Sequence, residues 1–391
     1  GLFTNIVDNT AASAPNATGG NVTGGSGRGA ANATALLAAI VPVPNAFTTV
    51  DTIPNNLKNP MTQQYNLNIQ RELPGKFVLT AAYVGTRGTD LFVNQDFNPT
   101  VNFGDRVNTN FGDIVVRNNA GRSNYNSGQL EIERRFSNNF TIRGSYTYSK
   151  FLDNGSEVFT STGGSSFAQD VTNQNGDYGP SAFDRRHRFV LSYVWNLPYA
   201  RQNWLLNAIT NRWEWSGIVT FNSGNPDTVF DGFDVNGDGH SGNDRPILGN
   251  NSVPITNNGI DGFQCNGPMI PPFIPGDFYS IPDCLNGINT NPQPASNFHF
   301  VIPAAGIGNV GRNSIFGPGQ EFFDTSIQRR FPFHIGRWEG QSITFRTDFF
   351  NAFNHPNEYT PGFNLLSPTF ASNASTIFGG RQIKFWLKWD F

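Results

Sequence analysis

Asp234, Asn236 and Asp238 stand at alternate positions and run into Gly239 and His240. Hard oxygen donors spaced by two can converge on one cation, and glycine permits the sharp turn that brings them round. The spacing matches the opening of a calcium loop of the EF-hand type. The glutamate that closes such a loop is absent, and Arg245 stands in its place, so Asp244 or Asp231 would have to substitute. The candidate ligands of a structural calcium ion are therefore Asp234, Asn236, Asp238, His240 and Asp244. The competing reading is an Asx-rich turn held by its own backbone bonds.

A second cluster, Asp184-Arg185-Arg186-His187-Arg188, concentrates charge at the start of an alternating segment. It suits an anionic ligand, or, more commonly for such clusters, a rim network with acids such as Asp153 and Asp177. His187 has no second histidine or cysteine at metal spacing, which argues against zinc. Cys265 and Cys284 lie in one loop rich in Asn, Gly and Pro. A disulfide between them would fit an oxidising compartment, and two free thiols are the alternative. There is no Gly-x-Ser-x-Gly, no His-Glu-x-x-His and no phosphate loop, and nothing selects a carboxylate pair, so no enzyme is expected.

The elements that position these residues read as strands. Charged residues are 14% of the chain and the net charge is -3, with no basic tail, so nucleic acid is not an expected partner. Phenylalanine is frequent at 36 residues, leucine is scarce, and glycine and asparagine abound, a composition of strands and turns. No run of about 18 apolar residues exists to make a transmembrane helix. Gly1 opens no signal peptide, which reads as a chain starting after processing or partway into a longer precursor.

Nine segments alternate apolar and polar residues: 62–72, 77–85, 124–136, 140–152, 185–196, 211–223, 319–331, 341–353 and 382–391. The last carries Ile383, Phe385, Leu387, Trp389 and Phe391 on one face, the habit of a barrel's C-terminal strand. On the opposite faces fall Arg143, Arg188, Arg346, Lys384 and Lys388 against Glu131, Glu133, Glu214, Asp324, Asp348 and Asp390. Period-2 alternation of this kind gives one apolar and one polar face. In an outer-membrane barrel these face lipid and lumen, with short turns at one end and long loops at the other. The segments obey that rule, with short connections after 72, 136, 196 and 331 and long ones after 85, 152, 223 and 353. Three of the short connections follow a shared pattern: Ile69-Gln70-Arg71-Glu72-Leu73, Ile132-Glu133-Arg134-Arg135-Phe136 and Ile327-Gln328-Arg329-Arg330-Phe331. Trp213, Trp215, Trp386 and Trp389 read as interfacial girdle residues. The expected fold is all-β, a portion of an antiparallel up-and-down transmembrane barrel, with residues 1–61 as a loop or leader and 62–391 as barrel, interrupted by the long loop 224–318.

Several of these segments resemble the C-terminal barrel half of TonB-dependent outer-membrane receptors of the Oar-like branch. The resemblance rests on Gln63-Gln64-Tyr65-Asn66-Leu67-Asn68-Ile69-Gln70-Arg71, Ala82-Tyr83-Val84-Gly85-Thr86-Arg87-Gly88, Tyr125-Asn126-Ser127, Tyr146-Thr147-Tyr148-Ser149-Lys150, the Asp184–Arg188 cluster and Phe349-Phe350-Asn351-Ala352-Phe353-Asn354-His355-Pro356. It implies uptake of a bulky nutrient, energised through TonB, with the loops outside the cell. Plugged barrels of this class have about 22 strands. Nine strands imply a companion piece carrying the plug, the segment that contacts TonB and the remaining strands, with residues 1–61 in an extracellular loop. A structural or adhesive surface protein, acting through its large loops or by self-assembly, is the second reading. A passive porin is the third.

Overall fold

The computed structural model describes residues 49–391, apart from 102–103, 138, 158–166, 198–210, 212, 233, 256–261, 264–278, 281–293, 304–305, 334–339, 368, 373–374 and 378. The nine alternating segments form nine long strands: β1 (Met61–Leu73), β2 (Phe77–Asp96), β3 (Ile114–Ser137), β4 (Phe140–Asp153), β5 (His187–Asn196), β6 (Trp213–Asn222), β7 (Gln320–Pro332), β8 (Ser342–Phe350) and β9 (Gln382–Asp390). They lie in one sheet in strict chain order, each antiparallel to the next. Among the described residues the sheet does not close: β1 pairs only with β2 and β9 only with β8, and β1 (to Glu72) and β9 (to Trp389) are exposed.

The register decides which side chains share a face. One row crosses the sheet as Ile69, Ala81, Leu130, Tyr146, Phe189 and Phe221. A second runs Trp195, Trp215, Ile327, Thr347 and Phe385. Because side chains alternate with period two, the intervening residues line the other face. There the rows read Gln70, Thr80, Glu131 and Ser145, and Ser216, Ser326, Asp348 and Lys384. No strand slips by a residue along these rows, so the apolar stripes join into one surface and the polar stripes into another.

The tight turns follow from their residues. Gly75 and Lys76 take positive φ of 82° and 67° between β1 and β2, and Asn139 takes 62° between β3 and β4. Near these turns the repeated arginines lie over rings. Arg134 sits 5.6 Å from the Phe77 ring and 5.5 Å from Phe140, and Arg329 sits 4.4 Å from Phe331. The guanidinium is attracted to the ring face while its stem stays apolar. Gly85 pairs directly with Tyr65, whose ring covers it, and a Cβ there would lie 2.1 Å from Tyr65 Cε2.

Several boundaries differ from the alternation. β2 and β3 continue to Asp96 and back to Ile114, leaving only 97–113 between them. Register shifts between Gly88, Leu91 and Val93 break the period there, so the extension has no alternating signature. Val50–Thr52, within the segment read as loop, forms a short strand parallel to Ile114–Val116. β8 stops at Phe350 because Asn351 turns with φ 49° and bonds His355 through both side-chain ends.

The described residues of the connections 223–319 and 351–381 build a body with its own core of Val229, Val235, Phe300, Ile302, Val310, Phe363, Leu365 and Phe370. Short pairings brace it, Ile247–Leu248 against Phe300–Ile302 and Ile315–Phe316 against Pro226–Asp227. The apolar burial absent from an isolated barrel wall is concentrated here.

Candidate functional site

The loop that carries the alternating oxygens folds around Asp234. Its Oδ1 accepts the amides of Gly237 (2.7 Å) and Asp238 (3.1 Å), and its Oδ2 accepts that of Gly239 (2.8 Å). Asn236 Oδ1 accepts the Asp238 amide, and its Nδ2 donates to Gln169 O at 2.6 Å. Asp238 accepts the His240 amide at 2.8 Å. Gly237 and Gly239 take φ of 75° and 95°, which fits the glycine-permitted turn.

The His240 ring is drawn to Asp96, while its amide stays on Asp238. Its Nε2 meets Asp96 Oδ2 at 3.0 Å, at the far end of β2, and its ring lies 4.4 Å from that of Phe167. Asp96, Asp113 and His240 bring ligand atoms within 4.8 Å of one another, the one such grouping among the described residues. Arg106 already reaches it, 2.6 Å from Asp113 and 3.6 Å from Asp96. Thr100 ties the same hairpin tip to the Asp234 loop through Gly237 O (2.7 Å) and Asp238 O (2.9 Å). Beneath it the buried amide of Asn98 donates to the carbonyls of Asn108, Phe111 and Gly112. None of these partners was visible in the sequence, since Asp96 and His240 are 144 residues apart.

The His240–Asp96 contact is pH-sensitive. Burial lowers the His240 pKa, but the hydrogen bond to Asp96 and the charges of Asp113 and Asp238 outweigh it, and the net shift is upward. Burial raises Asp96, but the bond from His240 and the amides of Asn98 and Ile114 bring it down overall. A raised histidine contributes stability that is complete below its unfolded pKa of about 6.5 and lost as pH rises through the folded value. A lowered aspartate contributes above about 3.9 and loses that contribution as pH falls through the folded value. The contact is therefore strongest between about pH 4 and 6.5. His240→Gln should destabilise at pH 5.5 by more than at pH 8 in paired thermal melts. An equal loss at both values contradicts the assignment.

Beside this loop lies a more deeply buried pair. Asp231 and Asp244 are both 0% exposed, and the Asp231 amide donates to the Asp244 carbonyl at 3.0 Å. Asp244 Oδ2 accepts the Val235 amide at 2.6 Å. Both oxygens of Asp231, Oδ1 of Asp244 and Oδ1 of Asn243 are buried without a hydrogen-bond partner. Burial, with repulsion from Asp244, pushes Asp231 up to about 8 against the opposing charge of Arg245. Burial likewise pushes Asp244 up to about 7.

Arg245 does not complete a calcium loop. Its guanidinium meets Asp177 at 2.7 Å and its Nε donates to Val310 O at 2.9 Å. Gly308 allows this strand of the loop body to pass, since a Cβ there would lie 1.7 Å from the Arg245 carbonyl. Asp153 and Asp177 do not serve the 184–188 cluster: Asp153 pairs with Arg312 and Asp177 with Arg245. Within the cluster Arg186 meets Asp184 at 3.2 Å, and Asp184 accepts the Phe151 amide. His187 accepts or donates at Tyr146 Oη, 2.7 Å away, and lies against the Tyr148 ring.

Arg143, Arg188, Arg346, Asp348 and Lys384 share the polar face. Arg143 pairs with Glu131 at 2.8 Å and Arg346 with Asp348 at 2.7 Å. A shallow groove on this face is lined by Arg143, Ser192, Asp324, Ser326, Arg346 and Asp348. Phe385, Leu387 and Trp389 lie on the apolar face of β9, and Phe391 meets Trp389 edge-on with ring centroids 5.9 Å apart. Trp213, Trp215 and Trp389 share the apolar face, but Trp386 does not. It donates Nε1 to Asp348 Oδ2 at 2.7 Å on the polar face, because β9 alternates and its position is even-numbered with Lys384 and Lys388. It therefore leaves the girdle. Cys265 and Cys284 lie outside the described residues.

Among solved structures the chain is similar to the outer membrane transporter YddB from Escherichia coli, at 14% identity and a TM-score of 0.42 over 87% of this chain and 33% of that one. It is similar to P. aeruginosa FpvA bound to pyoverdines at 10% identity and a TM-score of 0.40, over 86% of this chain and 28% of that one. For the copper transporter OprC the values are 12% and 0.35, over 87% and 33%. The chain thus spans about a third of the length of these structures. No curated protein matches its sequence. A family profile matches residues 2–384, and with it the strands in chain order and their two continuous faces make this chain a member of the outer membrane beta barrel domain family.

Proposed function

We propose that this chain forms part of the barrel wall of a TonB-dependent receptor, the C-terminal part, which takes up a bulky nutrient across the outer membrane. The observation that carries the reading is the pair of open edges, β1 and β9, at either side of an otherwise unbroken sheet. Unpaired backbone N–H and C=O groups in lipid cost several kcal/mol each, so other strands must close the wall. A companion segment would supply those strands, a plug and the contact to TonB. The polar face, with its mixed charges, would then line the lumen, and the braced loop body would meet the substrate outside the cell. On this reading the chain transports and performs no catalysis.

The loop body, with its own core, also favours a second reading: a structural or adhesive surface protein, or one that assembles with its own copies. Cysteines placed at Asn68 in β1 and Lys388 in β9 separate the possibilities in outer-membrane preparations. Cross-linking of each edge to a plug-bearing polypeptide, with nutrient uptake lost when TonB is deleted, supports the receptor. A disulfide between β1 and β9 of one chain, or cross-links only between identical copies, overturns it.

A further inference from the structure

We propose that Asp231, Asp244 and Asn243 bind one divalent cation, calcium, which fastens the loop body together. This site leaves out the alternating Asp234-Asn236-Asp238 set and joins Asp244, one of the ligands expected from the sequence, to Asp231 and Asn243. Asp234 already serves three backbone amides, and His240 is drawn off to Asp96. The buried pair has the opposite character. Asp231 is fully enclosed, yet neither carboxylate oxygen receives a hydrogen bond. Asp244, equally enclosed, has one oxygen satisfied by an amide and one unsatisfied. Asn243, next to Asp244 in the chain, is 3% exposed, and its Nδ2 donates to Ala168 O at 2.9 Å while its Oδ1 has no partner.

Buried carboxylates require a counter-charge or a donor, and buried polar atoms are otherwise almost always paired. The nearest guanidinium, Arg245, is committed to Asp177 and Val310 O. Neither Asp231 nor Asp244 forms an ion pair with any described residue. Two carboxylates and an amide carbonyl are hard oxygen donors that neutralise a doubly charged ion. Calcium tolerates the irregular, many-ligand geometry that loop carbonyls and water would complete. The position explains what the ion would do. Asp231 and Asp244 are joined by a backbone hydrogen bond, and the core residues Val229 and Val235 flank Asp231 on either side in the chain. An ion there would lock both ends of the segment 231–244 to the core.

The test uses the full protein in detergent, stripped with EGTA and titrated with calcium alone by calorimetry, with thermal melts of the same samples. The wild type should bind one calcium ion. Asp231→Asn should weaken binding by about a hundredfold, because ligand charge tunes calcium affinity over several decades. Its melts carry a sign that a purely packing role would not produce. In EGTA, Asp231→Asn should melt at or above the wild type, since it removes a buried carboxyl whose two oxygens no donor satisfies. In calcium it should melt below. Asp244→Asn should repeat the inversion, which guards against a folding failure in either variant. No calcium binding by the wild type overturns the proposal. So does binding that survives both variants, or that is lost only in Asp234→Asn. Melts that follow pH but ignore calcium would mean that the pair holds a proton instead.

Discussion

Arg312→Met should loosen the loop body from the sheet at a cost of about 3–5 kcal/mol, the loss expected when one member of a buried ion pair is removed. Arg312 reaches from the loop body to the top of β4. Its guanidinium pairs with the Asp153 carboxylate, donates to Asp153 O at 2.7 Å and to Ser156 Oγ at 3.1 Å, and its Nε donates to Asp177 O at 2.9 Å. The two side chains are 14% and 4% exposed, so screening by water is slight. Removing the guanidinium leaves the Asp153 carboxylate buried with only Ser156 as donor. Arg312→Lys should recover little, because a single ammonium cannot serve four acceptors in one plane. The double variant Arg312→Met/Asp153→Asn should cost clearly less than the sum of the single ones, since the uncompensated charge is then gone. Protease protection of the loop body in denaturant measures the effect. Additive losses would show that the two residues act separately.

Leu130→Arg should destabilise the membrane-inserted sheet by about 2–4 kcal/mol, while Gln129→Arg should change it little. The two residues are neighbours in β3, but the register sends them to opposite faces. Leu130 joins the apolar row between Ala81 and Tyr146 and is 52% exposed there. Gln129 stands between Ala82 and Thr147 in the polar row. Leu130 lies near the middle of the span of about ten residues that a tilted strand needs to cross a bilayer. An arginine facing lipid must shed water or drag it in, whereas one on the polar face stays hydrated. Unfolding in lipid vesicles, followed by the shift of the heat-modifiable band, gives the comparison. Equal sensitivity at the two positions would contradict the facing assigned by the family and the register.

Alternation alone marked all nine long strands, because a wall with one apolar and one polar face writes its period directly into the residues. The ends were less visible. The upper arms of β2 and β3 leave the membrane-facing pattern, and bulges beyond Gly88 erase the period. The turn at Asn351 ends β8 at Phe350, three positions before the apolar run suggests, since backbone curvature rather than polarity stops it. The charge clusters divided similarly. Asp234, Asn236 and Asp238 announce a tight turn by spacing alone, and the turn forms. Asp96, Arg106, Asp113, Asp153 and Arg312 carry no such spacing, and the contacts of Asp96 with His240 and of Asp153 with Arg312 cross distant connections.

The sequence by itself therefore determined the antiparallel strands, their faces and the outer-membrane class, consequences of local periodicity and turn chemistry; the split into short and long connections held only in part, since 197–212 is about as long as 97–113. Only the tertiary structure decided how the long connections fold. Their residues obey no period, so their core, the Arg312 and Arg245 ion pairs and the buried Asp231–Asp244 pair arise from which loops meet above the sheet. That meeting depends on the order and register of strands far apart in the chain. It is also why Asp231, outside the alternating motif, is left with both carboxyl oxygens unpartnered, while Asp234, inside it, is satisfied by its own backbone.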